Sequence, residues 1–179
     1  MKFTTIITVL NVNLLRISGV SPNEKMQHGI RPVVRSDLLG LKSIIDSTGI
    51  FPSELLDGMM EKYLSGANAD CEWLTCEEDG KLVGVCYYAM EKLTNKTWNL
   101  LLIAIHSETQ RTGIGSRMIS YIFDELRRKS QRLLIVETSS LADFEKSRMF
   151  YEKNGFELEG RVRDFYDTGD DKIIYRKKI

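Results

Sequence analysis

The 179-residue sequence holds three cysteines and two histidines, and that scarcity excludes several kinds of chemistry at once. Cys71, Cys76 and Cys86 are odd in number and lack C-x-x-C spacing, so neither a disulfide framework nor a zinc site is expected, only reduced, partly buried thiols. His28 and His106 lie far apart, which speaks against a metal centre. Net charge is also missing: 25 basic residues balance 25 acidic ones, and no global field draws the chain onto nucleic acid or anionic lipid. There is no apolar run long enough to span a bilayer, because Asn11, Asn13 and Arg16 interrupt the stretch that begins at Phe3. That stretch has a single early Lys2 and a poor cleavage context, so residues 1–28 are expected to be a poorly ordered extension rather than a secretory signal. Residues 29–179 then form one domain of a cytoplasmic protein.

Charge is unevenly spread even though it sums to zero. Between Ser36 and Glu108 twelve acidic residues outnumber five lysines, whereas from Arg111 onward fifteen basic residues face twelve acidic ones. A phosphate-bearing ligand suits the later part and a cationic one the earlier part. Solvated helix and hairpin faces explain most of the individual charges equally well.

The hydrophobic period changes along the chain. A strand is predicted over 29–34, then a helix capped by Ser36 or Asp37 and carrying Leu38, Leu41, Ile44 and Ile45 up to Gly49. A second helix opens at Pro52 and Ser53 and ends at Ser65 and Gly66. Strands over 72–77 and 82–90 flank Asp79-Gly80, a strong hairpin turn signal. The nearly continuous apolar run over 98–105 reads as a strand buried on both faces, followed by a helix over 116–129 and a strand over 132–138. This strand, helix, strand unit calls for a parallel crossover. A helix over 143–154 ending at Gly155, and strands over 156–162 and 172–177, complete a mixed α/β chain with one central sheet.

The segment from Ile103 to Ser116 takes a buried strand through a short loop into a helix. Gly113 and Gly115 let a ligand approach the backbone, and the N–H groups of Arg111, Thr112, Gly113, Ile114, Gly115 and Ser116 at a positive helix terminus form an anion cradle. The loop has neither the Gly-Lys-Ser/Thr ending of a nucleoside-triphosphate loop nor G-x-G-x-x-G spacing.

Gln110-Arg111-Thr112-Gly113-Ile114-Gly115 resembles the Q/R-x-x-G-x-G/A signature of the GNAT superfamily of N-acetyltransferases, and Phe150-Tyr151 with Gly155-Phe156 resembles its second signature. The two lie in the family's order and separation, and the resemblance covers nearly everything from Ile30 onward. It implies a mostly antiparallel twisted α/β sheet with helices on both faces and a parallel strand pair splayed around a CoA site. It also implies transfer of an acetyl group from acetyl-CoA to a primary amine by direct attack through a tetrahedral intermediate. Ile103, Ala104 and Ile105 would hold the pantetheine arm and a backbone N–H near Ile105 the oxyanion, while Gln110 to Ser116 would hold the pyrophosphate. Tyr151 would protonate the leaving sulfur. The acceptor would be a small-molecule or peptide amine, with no nucleic acid, membrane or metal involved, and the resemblance allows a homodimer.

The sequence departs from the family where many members carry a catalytic glutamate: the position is Asn99, and an amide is no base. Glu91, Glu72 or Glu108 could substitute, or the amine could arrive deprotonated. Phe144, Ser147 and Thr112 also depart from the common pattern of cofactor contacts. A noncatalytic acyl-CoA-binding module and an acetyltransferase acting on a protein N-terminus or another macromolecule are the competing readings. The acceptor pocket is expected from the two early helices and the last hairpin, with Phe51, Phe165 and Tyr166 lining it and Glu54, Glu61 or Asp164 holding a cation.

Overall fold

The computed structural model describes residues 29–67 and 70–179, so the expectations for residues 1–28 lie outside the described residues. In chain order the elements are β1 (Ile30–Pro32), α1 (Leu38–Thr48), α2 (Leu55–Leu64), β2 (Cys71–Glu78), β3 (Lys81–Met90), β4 (Thr97–Ile105), α3 (Ile114–Arg128), β5 (Leu133–Ser139), α4 (Glu145–Lys153), β6 (Glu157–Asp167) and β7 (Asp170–Lys178). The strands form one seven-stranded sheet in the order β1-β2-β3-β4-β5-β7-β6. β4 and β5 run parallel, as the intervening α3 requires, and the pairs β1–β2, β5–β7 and β6–β7 are antiparallel. The predicted mixed α/β architecture with a mostly antiparallel sheet is therefore the one adopted.

The described residues fall into two compact units. One comprises residues 29–67, 70–88 and 102–122, and its core is built from the helical stripe expected of α1 and α2. Leu41, Ile44 and Ile45 of α1 and Leu56 and Met60 of α2 pack with Trp73, Val85, Leu102 and Ala104. Each such side chain contributes about 1.5–3 kcal/mol on burial. The β2–β3 turn has positive φ at both Asp79 (49°) and Gly80 (75°), the backbone that a two-residue hairpin needs. The other unit comprises residues 89–101 and 123–179. It holds the paired half of β4, the end of α3, and β5, α4, β6 and β7.

Several boundaries differ from the sequence pattern, each for a local reason. β1 spans three residues, because the chain turns at Val34 into a 3₁₀ turn over Arg35–Asp37. Neither Ser36 nor Asp37 caps α1 through its side chain. The Asp37 carboxylate instead accepts from the Val34 N–H (2.8 Å) and from both terminal nitrogens of Arg31 (2.7 and 3.0 Å). α3 begins at Ile114, two residues early, which places Gly115 inside its first turn. α4 begins at Glu145 after a 3₁₀ turn over Ala142–Phe144. β6 continues five residues past Val162, with register irregularities between Leu158 and Gly160 and between Val162 and Asp167.

Candidate active site

In the first unit, β4 ends at Ile105, a 3₁₀ turn covers Ser107–Thr109, and the chain enters α3 through an exposed bend. Arg111 (φ 65°) and Gly113 (φ 93°) both lie in the positive region. The bend is tied to the strand it leaves: the Gln110 side-chain amide donates to the Ile105 carbonyl (3.1 Å) and the Thr112 hydroxyl to the Thr109 carbonyl (2.7 Å). The first intrahelical bond of α3 runs from the Arg117 N–H to the Gly113 carbonyl (3.0 Å). The N–H groups of Ile114, Gly115 and Ser116 precede it and have no carbonyl one turn back. A Cβ at Gly113 would meet nothing within 4 Å, so the bend faces open space beside these donors. The donor set and the opening fit a diphosphate, whose charge the positive end of a 15-residue helix stabilises.

The structure thus brings Ile105 and Gln110 to Ser116 into one continuous cradle. Ile103 and Ile105 are half-buried, whereas the Ala104 side chain is buried in the core and leaves only its backbone for a ligand. Arg117, in the first turn of α3, has its guanidinium paired with Glu78, which raises its pKa further.

Tyr151 lies on α4, in the second unit, and is buried against Phe150, Phe156 and Tyr175 at ring-centroid distances of 5.5, 5.8 and 6.1 Å. Burial raises its phenol well above the ordinary value, which keeps the proton on the oxygen. Asn99 in the same unit is buried on β4, and its amide nitrogen donates to Glu91 Oε1 (2.7 Å) while its Oδ1 has no partner. Glu72 lies on β2 and Glu108 is exposed in the 3₁₀ turn after β4.

Of the expected acceptor residues, Phe51 packs on the core of the first unit, Glu54 is exposed ahead of α2, and Glu61 pairs with Arg35 at 3.7 Å. Asp164 shapes the β6–β7 turn by accepting from the Gly169 N–H (2.7 Å). Phe165 and Tyr166 contact each other edge to face at 5.0 Å. An open polar recess lined by Arg31, Asp37, Glu77, Lys81, His106 and Glu108 lies in the first unit, and none of its lining residues belongs to the Gly113–Ser116 cradle. The sequence reading passed over Glu137, a carboxylate directly after the apolar run Leu133 to Val136, although its place in a buried strand was the available signal. Among the described residues no group of three or more His, Cys, Asp or Glu side chains is placed to hold a metal, and no helix is long and apolar enough to cross a membrane.

The sequence profile described as an acetyltransferase (GNAT) domain matches residues 69–158. A structure assigned as an acetyltransferase of the GNAT family from Desulfovibrio desulfuricans is 30% identical, with a TM-score of 0.78 over 83% of this chain and 97% of that one. The chain belongs to the GNAT acetyltransferase family. It is also 26% identical over 93 residues to the uncharacterized N-acetyltransferase YsnE of Bacillus subtilis (strain 168), a match over 51% of this chain and 60% of that protein. The fold is shared with an aminoglycoside 6'-N-acetyltransferase complexed with coenzyme A, at 19% identity and a TM-score of 0.69, over 83% of this chain and 96% of that one.

Proposed function

We propose that this chain transfers an acetyl group from acetyl-CoA to a primary amine by direct attack of the amine on the thioester, in a reducing compartment such as the cytoplasm. The observation that carries this is the β4–α3 cradle, with three main-chain donors at a helix start beside an open Gly113, in a chain of the GNAT family. Three free, buried thiols suit the reducing compartment. Acetyl-CoA supplies the activated acetyl group. The N–H groups of Ile114 to Ser116 bind its diphosphate, with Gln110 fixing the bend, and the backbone of Ile103 to Ile105 orients the arm. A main-chain N–H near Ile105 offers hydrogen bonding to the carbonyl oxygen as charge develops there. Tyr151 Oη, held protonated by burial, gives its proton to the departing sulfur and is reprotonated by the one that the attacking nitrogen sheds.

The test is thiol release from acetyl-CoA against polyamines, amino acids, aminoglycosides and N-terminal peptides, with CoA binding measured in parallel. Amine-dependent release is expected, and Tyr151→Phe should lower kcat about 100-fold at unchanged CoA affinity. CoA binding without release on any amine would sink the transferase reading in favour of a noncatalytic CoA-binding module.

A further inference from the structure

The second unit carries a charged cluster that this mechanism leaves unused. β5 pairs in parallel with β4 from Thr97↔Leu133 to Leu100↔Val136, and Glu137 is the first β5 residue past that ladder. On its other edge β5 remains paired, with Glu137 opposite Ile174 and Ser139 opposite Lys172 of β7. Residues in register, and residues two apart on a strand, share a sheet face, so Asn99, Ile135, Glu137 and Lys172 all present to one side.

On that face Lys172 Nζ lies 2.7 Å from Glu137 Oε2, with the side chains 14% and 29% exposed respectively. The same ammonium stands 3.5 Å from the centroid of the Phe165 ring. A carboxylate opposite an aromatic face is an arrangement that binds ammonium groups, and here the chain's own lysine fills it. The Tyr166 phenol next to Phe165 is pushed up to about 12, by burial first and by the charges of Glu137 and Asp170 after it. Asn99 is in register with Ile135, two residues before Glu137, and its Oδ1 is buried without a hydrogen-bond partner. A buried acceptor left unpaired is costly and gains from an incoming donor.

The geometry points to Glu137 as the carboxylate that receives the acceptor's ammonium, with Asn99 Oδ1 as a second acceptor and Lys172 as an internal competitor that the amine displaces. This rests on the acetyltransferase reading above and adds the class of its acceptor: a primary amine that arrives as a cation and releases one proton to solvent before it attacks, its carbon chain lying on Phe165 and Tyr166. On binding, Glu137 exchanges one ammonium for another, and Lys172 leaves the Phe165 face to the acceptor's carbon chain. Glu137 therefore sets affinity for the acceptor and takes no part in holding CoA.

The two halves of the ion pair should act in opposite directions. Glu137→Gln should raise the amine KM about 10- to 100-fold and leave the acetyl-CoA KM unchanged. Lys172→Met should lower the amine KM several-fold by freeing Glu137 Oε2, and the double variant should behave like Glu137→Gln. If Lys172→Met fails to fold, Lys172→Gln takes its place, with thermal melting confirming a folded chain. A brace with no role in acceptor binding loses the same contact in either variant, so equal effects on melting with an unmoved amine KM, or a KM that rises in both, would overturn the assignment. Robust transfer by the unaltered chain alongside an unchanged Glu137→Gln overturns this inference alone. Absence of transfer to any amine overturns the acetyltransferase reading and this inference with it.

Discussion

Replacing Gly113 with alanine separates backbone strain from ligand binding, provided a second glycine serves as reference. Gly113 has φ 93° and Gly80 has φ 75°, and a Cβ at either position meets nothing within 4 Å. Neither substitution creates a clash, so each costs only the strain of a side chain at positive φ, about 1–2 kcal/mol. For a chain of this size that strain lowers Tm by roughly 2–8 °C, and the two variants should melt alike. Their CoA affinities should part. Gly80 lies in the β2–β3 turn, while Gly113 carries the carbonyl that starts α3 and stands beside the three free N–H donors. The Gly113→Ala methyl stands in the opening beside those donors, and a loss of about 1–2 kcal/mol of contact there weakens CoA by about 5- to 30-fold. Isothermal titration with CoA, paired with thermal melts, checks this. A Gly113→Ala chain that binds CoA as tightly as Gly80→Ala would refute the cradle.

Two predictions concern stability. Asp37→Ala removes a carboxylate that serves Arg31 and the Val34 N–H, and should cost about 2–3 kcal/mol in urea unfolding. Because the Arg31 hydrogen bond lowers the Asp37 pKa, its contribution is present above the ordinary carboxylate value and is lost as pH falls through the lowered one, so the variant should show a shallower acid limb. At the other extreme, burial lifts the phenols of Tyr63, Tyr87, Tyr166 and Tyr175 to about 12. Above pH 10 the unfolded chain then releases protons that the folded one keeps, so stability should fall steadily between pH 10 and 12. A flat melting temperature over that window would contradict the burial of these rings.

Much of the fold was legible because its signals are local. The stripe of α1 and α2, the Asp79-Gly80 turn and the apolar β4 run each depend on residues within one or two turns of one another. α1 keeps its expected bounds, although Arg31 engages the Asp37 carboxylate, whereas α3 could start at Ile114, earlier than its pattern, because Gly113 adopts a positive φ. The bend over Gln110 to Ser116 was legible for the same reason as the turns, since its glycines and polar side chains act locally.

The pairs that join distant residues were hidden. Asn99 with Glu91 and Lys172 with Glu137 are set by strand neighbours and Arg117 with Glu78 by a helix against a strand, and the order β5-β7-β6 inserts the last strand between its two predecessors. Local pattern determined the helices, the hairpin turns and the bend that opens α3, because those need only the spacing of apolar residues and the backbone freedom of glycine. The tertiary structure decided which charges meet, because an ion pair across strands depends on sheet order and register, and no local spacing in the chain encodes either one.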